Sequence, residues 1–189
     1  NGGFRMEHFL GGYVTEGRVV RRPKMDDATL AIDENGRLHL GVWGRDLDPK
    51  APWRSIRQNL PPMIWEGKSV WKTFPGTYWG DAAKRETFTY RSAVCTLADG
   101  RIMYTAMNGV DIALLVDALV NMGCQTAVEL DINGTWPQFC TYAGFGTTMR
   151  KGVPLDARMT NPNRFLTRST KDFIAFFDPT TLTPGVLAG

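Results

Sequence analysis

A chain of 189 residues that is 43% hydrophobic and 22% charged has the composition of one globular domain with its own core, and it excludes a disordered or fibrous chain. The net charge of +3, with no basic run and no basic–aromatic stripe, argues against nucleic acid as a partner. No apolar run approaches the length of a membrane-spanning helix. No internal repeat or domain boundary is visible, so residues 1–189 are read as a single domain.

The chain opens on Asn1-Gly2-Gly3, without an initiator methionine or signal peptide, and is therefore expected to be trimmed, processed or excised from something longer. Residues 12–21, turning at Glu16-Gly17, read as a first hairpin. Its Arg18, Arg21, Arg22 and Lys24 form a solvated basic edge. Residues 29–43 read as a second hairpin, because Asn35-Gly36 between alternating apolar residues is a strong hairpin signal. Arg45 and Asp46 in the following charged loop are expected to pair with each other near the rim. Residues 55–60 fit either a short helical turn or a strand, stopped by Pro61-Pro62. Residues 66–86 lack periodicity and read as a long loop. Residues 87–97 and 101–107, joined by Asp99-Gly100, form a third hairpin.

Ile112, Leu115, Val116, Leu119 and Val120 then recur at helical spacing. Asn108 is the expected cap, Asp111 lies in the first turn, and Gly123 suits the left-handed residue that ends the helix. Residues 126–131 follow as a strand, so 101–131 is a strand–helix–strand unit, for which a right-handed crossover and parallel strands are expected. Residues 138–142 read as a further strand, 144–162 as a loop, and 171–177 as a last apolar strand. The fold class is α+β: a mixed, mainly antiparallel β-sheet of hairpins with one right-handed strand–helix–strand crossover.

Cys95, Cys124 and Cys140 lack metal-ligand spacing and read as buried free thiols, with at most one disulfide. His8 and His39 suggest no local metal motif, and His8 reads as a loop residue. No metal or cofactor is expected. Trp53, Trp65, Trp71, Trp79 and Trp136 lie near turns, where aromatics either line ligand clefts or plug the core under loops.

The candidate site is the end of the crossover strand. Glu129 and Asp131 are two residues apart, so regular alternation places them on one face, about 6.5–7 Å apart. Two buried acids need a partner or a task. Ligands of such units gather at the carboxyl ends of strands, where Asp131 stands.

Taken together, Asn1-Gly2-Gly3-Phe4, the hairpin at residues 11–20, Arg91-Ser92-Ala93, Asp99-Gly100 and Leu130-Asp131-Ile132-Asn133-Gly134-Thr135 keep the order found in the phosphodiester glycosidase family, which the chain resembles. Residues 41–46, 55–60 and 170–173 resemble its actinobacterial branch. Two glycines of the family's motif are Ile132 and Asn133 here. The resemblance implies an exported bacterial hydrolase acting on a sugar phosphodiester or a cell-envelope glycan. It assigns Arg91 as the anion clamp, Asp131 as nucleophile or general base, and Glu129 as a second carboxylate. Asn1, Gly2, Gly3, Asn133, Gly134 and Thr135 would hold the substrate. Asn1, free after processing, could contribute its α-amino group as a base, and an upstream chain from the same precursor would complete the sheet. A glycan-binding or wall-structural module without turnover is the alternative.

Overall fold

Residues 11–79, 88–143, 151–167, 172–178 and 180 are described in a computed structural model. Asn1, Gly2, Gly3, Phe4 and His8 lie outside them.

The first hairpin pairs β1 (Tyr13–Thr15) with β2 (Arg18–Arg21), and every residue of β2 is exposed, as the basic edge requires. Its two turn residues, Glu16 and Gly17, both have positive φ, +48° and +72°, the twist that matches two-residue hairpins. The second hairpin pairs β3 (Ala28–Asp33) with β4 (Leu38–Val42). The side chain of Asp33 braces its turn by accepting the Asn35 and Arg37 amides, each at 2.9 Å. Residues 55–60 resolve to a strand, β5 (Trp53–Gln58). β5 slots between β1 and β3, giving a five-stranded antiparallel sheet in the order β2-β1-β5-β3-β4.

A second five-stranded sheet, built from residues 64–69, 89–110 and 124–132, is also antiparallel at every pairing. Its β6 (Ile64–Trp65) and β7 (Lys68–Ser69) correct the expectation of a structureless loop. Glu66 and Gly67, at φ +51° and +71°, repeat the turn of the first hairpin, and 3₁₀ turns follow at Trp71–Thr73 and Gly76–Trp79. The third hairpin is β8 (Thr89–Leu97) with β9 (Ile102–Val110). Strand β9 outruns its expected end because Val110 still pairs with Thr89, so the helix cap moves from Asn108 to Asp111. The Asp111 carboxylate accepts the Leu114 amide at 2.9 Å, and α1 spans Ile112–Asn121. Gly123, at φ +85°, ends the turn beyond it.

From α1 the chain enters β10 (Cys124–Ile132). Strands β9 and β10 are each antiparallel to β8, which lies between them, and so run parallel to each other. The strand–helix–strand unit therefore steps over one strand. A small hairpin of β11 (Cys140–Tyr142) and β12 (Gly152–Pro154) follows. Residues 172–177 are not a strand: they join none of the described sheets, and Phe173, Phe176 and Phe177 are exposed. The side chain of Ile174 packs on the intersheet core, while Asp172 pairs with Arg57.

The layers follow from side-chain alternation. Ala28, Leu30 and Leu40 of the first sheet meet Val94 and Val128 of the second. The opposite face of the second sheet carries Ala93, Cys95 and Ala127 against Leu115, Val116 and Leu119 of α1. Each of those three helix residues is fully buried, contributing roughly 1.5–3 kcal/mol. Trp79 joins this core, whereas Trp53 packs beside Trp43 and Ile56 on the outer face of the first sheet. Under α1, Cys95 and Cys124 form a disulfide with a Cα–Cα distance of 5.7 Å, correcting the expectation of free thiols; Cys140 is free. Adjacent antiparallel strands bring the two sulfurs together, a proximity that a separation of 29 residues conceals.

Candidate active site

The end of β10 is fixed from both sides. On the α1 side, Arg91 of β8 donates through Nη1 to Glu129 Oε1 at 2.6 Å and through Nε to the Val110 carbonyl at 3.1 Å. Both side chains are 1% exposed. Burial raises the Glu129 carboxyl to about 7, while Arg91 pulls in the opposite direction. Such a pair costs desolvation, and its geometry has to recover that cost. Asn59, just after β5, donates through Nδ2 to the Glu129 carbonyl at 2.8 Å, tying the first sheet to the second. Asn59 is 4% exposed, and its Oδ1 accepts no hydrogen bond from the described residues.

The register of β10 on β8 slips between Glu129 and Ile132. This bulge breaks the regular alternation expected of Glu129 and Asp131. Asp131 is 6% exposed, and its main-chain carbonyl accepts Ser92 Oγ at 2.7 Å. Ser92 and Tyr104 stand on the face of β8 and β9 turned away from α1, opposite to the Arg91 side. The phenol of Tyr104 is raised above the ordinary range, mainly by burial, and Asp131 adds to the shift. Glu129 is thus coupled to Arg91, whereas Asp131 is among the charges that raise the Tyr104 phenol.

After β10 the chain turns sharply. Asn133 adopts φ +94°, and its amide donates to the Tyr90 carbonyl at 2.8 Å. Its Oδ1 accepts from Thr135 N at 3.0 Å, Thr135 Oγ1 at 3.2 Å and Trp136 N at 3.3 Å. Asparagine tolerates this left-handed conformation and closes the turn with its own side chain. Gly134 is exposed, and a Cβ placed on it meets nothing within 4 Å. Arg164 closes the rim: its Cζ lies 4.9 Å from the centre of the Trp136 ring, and Nη1 donates to the Thr135 carbonyl at 3.3 Å.

The structure thus brings Arg91, Glu129, Asp131, Asn133, Gly134 and Thr135 to one end of β8 and β10. Asn59, Ser92, Tyr104 and Arg164 belong to the same region. Asn59 lies in a stretch quoted for the family likeness, and the buried polar run Arg57-Gln58-Asn59 at a strand end was its signal. Gln58 stitches the first sheet, its Oε1 accepting the Gly12 amide at 2.7 Å and the Lys24 amide at 2.8 Å. Arg45 and Asp46 do not pair with each other. Arg45 donates to Asp26 at 2.6 Å and lies over Trp65, while Asp46 accepts the Val42 amide at 2.8 Å. Among the described residues, no group of three or more His, Cys, Asp or Glu side chains could hold a metal ion. No described helix is long and apolar enough to cross a membrane.

No protein-family profile and no curated protein matches the chain. Solved structures match its fold. One is the zebrafish N-acetylglucosamine-1-phosphodiester alpha-N-acetylglucosaminidase catalytic domain auto-inhibited by pro-peptide, with a TM-score of 0.52 and 19% identity over 71% of this chain. Another is a hypothetical protein from Synechocystis, with a TM-score of 0.50 and 11% identity over 71% of this chain. The chain spans about half the length of these structures, 50% and 45% respectively. At these identities the likeness is one of fold, and among the described residues that fold is strand-dominated with one α-helix.

Proposed function

We propose that the chain is a hydrolase of the phosphodiester glycosidase type, cleaving a glycosidic bond in a sugar phosphodiester or a cell-envelope glycan. The observation that carries this reading is the placement of Asp131. It is an enclosed carboxylate at the carboxyl end of β10, between the buried Arg91–Glu129 pair and an exposed turn with room at Gly134. The fold likeness to a glycosidase domain supports the reading at the level of architecture.

In this mechanism Asp131 is the nucleophile or general base at the sugar carbon. Glu129 is the second carboxylate, and a value near 7 is suited to moving a proton at neutral pH. Arg91 supplies fixed positive charge to the anionic group of the substrate from beneath the strand ends. Asn133, Gly134 and Thr135, with Asn1, Gly2 and Gly3, hold substrate oxygens. The crossover is right-handed. The protein works outside the cytoplasm, in a bacterial cell envelope; the Cys95–Cys124 disulfide supports an oxidising compartment.

One observation favours a second reading, a glycan-binding module without turnover. Asn133 Oδ1 is already committed to three donors of its own turn. Incubation with sugar phosphodiesters, aryl glycosides and wall glycans separates the two. Release of reducing sugar supports the hydrolase, and saturable binding without release supports the module.

A further inference from the structure

We propose that Arg164 is the side chain that recognises the anionic group of the substrate, taking a phosphate-type oxyanion at the rim of the Asn133–Trp136 turn. This deepens the hydrolase reading and rests on it for the identity of the ligand.

Other arginines of this part of the fold already have partners. Arg91 is 1% exposed and already spends Nη1 on Glu129 and Nε on the Val110 carbonyl, so its charge acts from below. Arg158 is paired with Asp156 at 2.7 Å, and Arg57 with Asp172. Arg164 makes no carboxylate pair among the described residues, although it is half-buried and held in place. Its guanidinium carbon lies 4.9 Å from the centre of the Trp136 ring, and one N–H is anchored on the Thr135 carbonyl, two contacts that hold the fork in place. A guanidinium carries five N–H donors, so most remain for a ligand. A planar fork oriented in advance suits two oxygens of one oxyanion and loses little entropy on binding.

The neighbouring residue supplies the space. Gly134 precedes Thr135, is exposed, and has an ordinary backbone conformation in which a Cβ would meet nothing within 4 Å. Neither backbone strain nor packing by described residues demands glycine there, which leaves room for a ligand beside the Arg164 contact. Asp131 lies three residues before Gly134, at the end of β10 that leads into this turn, so an oxyanion held at Arg164 would bring its attached sugar toward that carboxylate.

The test uses the Asp131→Asn chain, so that binding is read without turnover. Inorganic phosphate, N-acetylglucosamine 1-phosphate and the neutral methyl N-acetylglucosaminide are titrated by calorimetry at low ionic strength. Arg164→Gln, which keeps an aliphatic stem over Trp136, should weaken both phosphates by about tenfold or more. Arg164→Lys should fall between, having the charge without the fork. The neutral sugar should change by less than about twofold. Unchanged phosphate affinity in Arg164→Gln, no phosphate binding by the parent, or equal losses for charged and neutral ligands would each overturn the proposal. Hydrolysis is not read here, so a failure of Asp131 as the reacting group leaves this outcome standing.

Discussion

Replacing Arg91 by Met makes the Arg91–Glu129 pair report on itself. The substitution keeps much of the buried stem but leaves Glu129 without its cation in a site where both partners are 1% exposed. Breaking such a pair from one side costs about 3–5 kcal/mol when the remaining group is charged. The Val110 carbonyl also loses its donor, a pH-independent loss of about 1–3 kcal/mol. Against a total stability of about 5–15 kcal/mol, the sum is large. The pH dependence carries the diagnosis. Glu129 has a folded pKa near 7 against an ordinary 4.5, so the native state holds a proton that the unfolded chain has released across that window. The contribution of this group is therefore fully present below pH 4.5 and is lost as pH rises through 7. Without Arg91 the carboxyl should rise further, so Arg91→Met should lose more stability at pH 8 than at pH 5.5. Adding Glu129→Gln should remove most of that pH-dependent part and leave only the carbonyl loss. Urea denaturation of the parent, single and double variants at both pH values measures this. Equal losses at both pH values, or a double variant as unstable as Arg91→Met at pH 8, would refute the reasoning.

Opening the Cys95–Cys124 bridge by Cys→Ser at both positions should cost about 3–4 kcal/mol, from the loop entropy released over a separation of 29 residues, and denaturant titration under oxidising conditions reads it. Gly134→Ala should leave the melting temperature within about one degree, because its Cβ meets nothing; unaltered ligand affinity in that variant would argue against close approach at the turn. Asn133→Ala should destabilise the chain by about 1–3 kcal/mol, since it strains a backbone at φ +94° and removes the acceptor of three donors. Asn133→Gly should recover the strain but not the acceptor, and equal stabilities for the two would show that strain is absent.

Local chemistry was legible in the sequence. Glu16-Gly17, Asn35-Gly36 and Asp99-Gly100 each mark a turn whose conformation depends on adjacent residues, and the α1 stripe follows from a period of 3.6. Pairings at a distance were not. The insertion of β5 between β1 and β3, and the division into two packed sheets, arise from contacts that no window of the chain displays. The short β6–β7 hairpin was hidden because two-residue strands carry no periodicity. Phe173, Phe176 and Phe177 mimic a strand in composition, yet their segment joins none of the described sheets. At the site, the order of short motifs made Asp131 and Arg91 legible as candidates. The bulge after Glu129 was not, because a register slip depends on the partner strand. Asn59 and Arg164 come from parts of the chain distant in sequence, one bonding the Glu129 carbonyl across the sheets and the other lying over Trp136 of the turn.

The central claim is that Asp131 reacts with a glycosidic bond. The direct measurement is the rate of N-acetylglucosamine release from a sugar phosphodiester by the parent chain and by Asp131→Asn, with circular dichroism and melting confirming that both are folded. The proposal predicts release by the parent and a loss of at least about a hundredfold in kcat for Asp131→Asn, the scale of removing an essential acid–base or nucleophilic group. Parental kcat retained in a folded Asp131→Asn chain would contradict it.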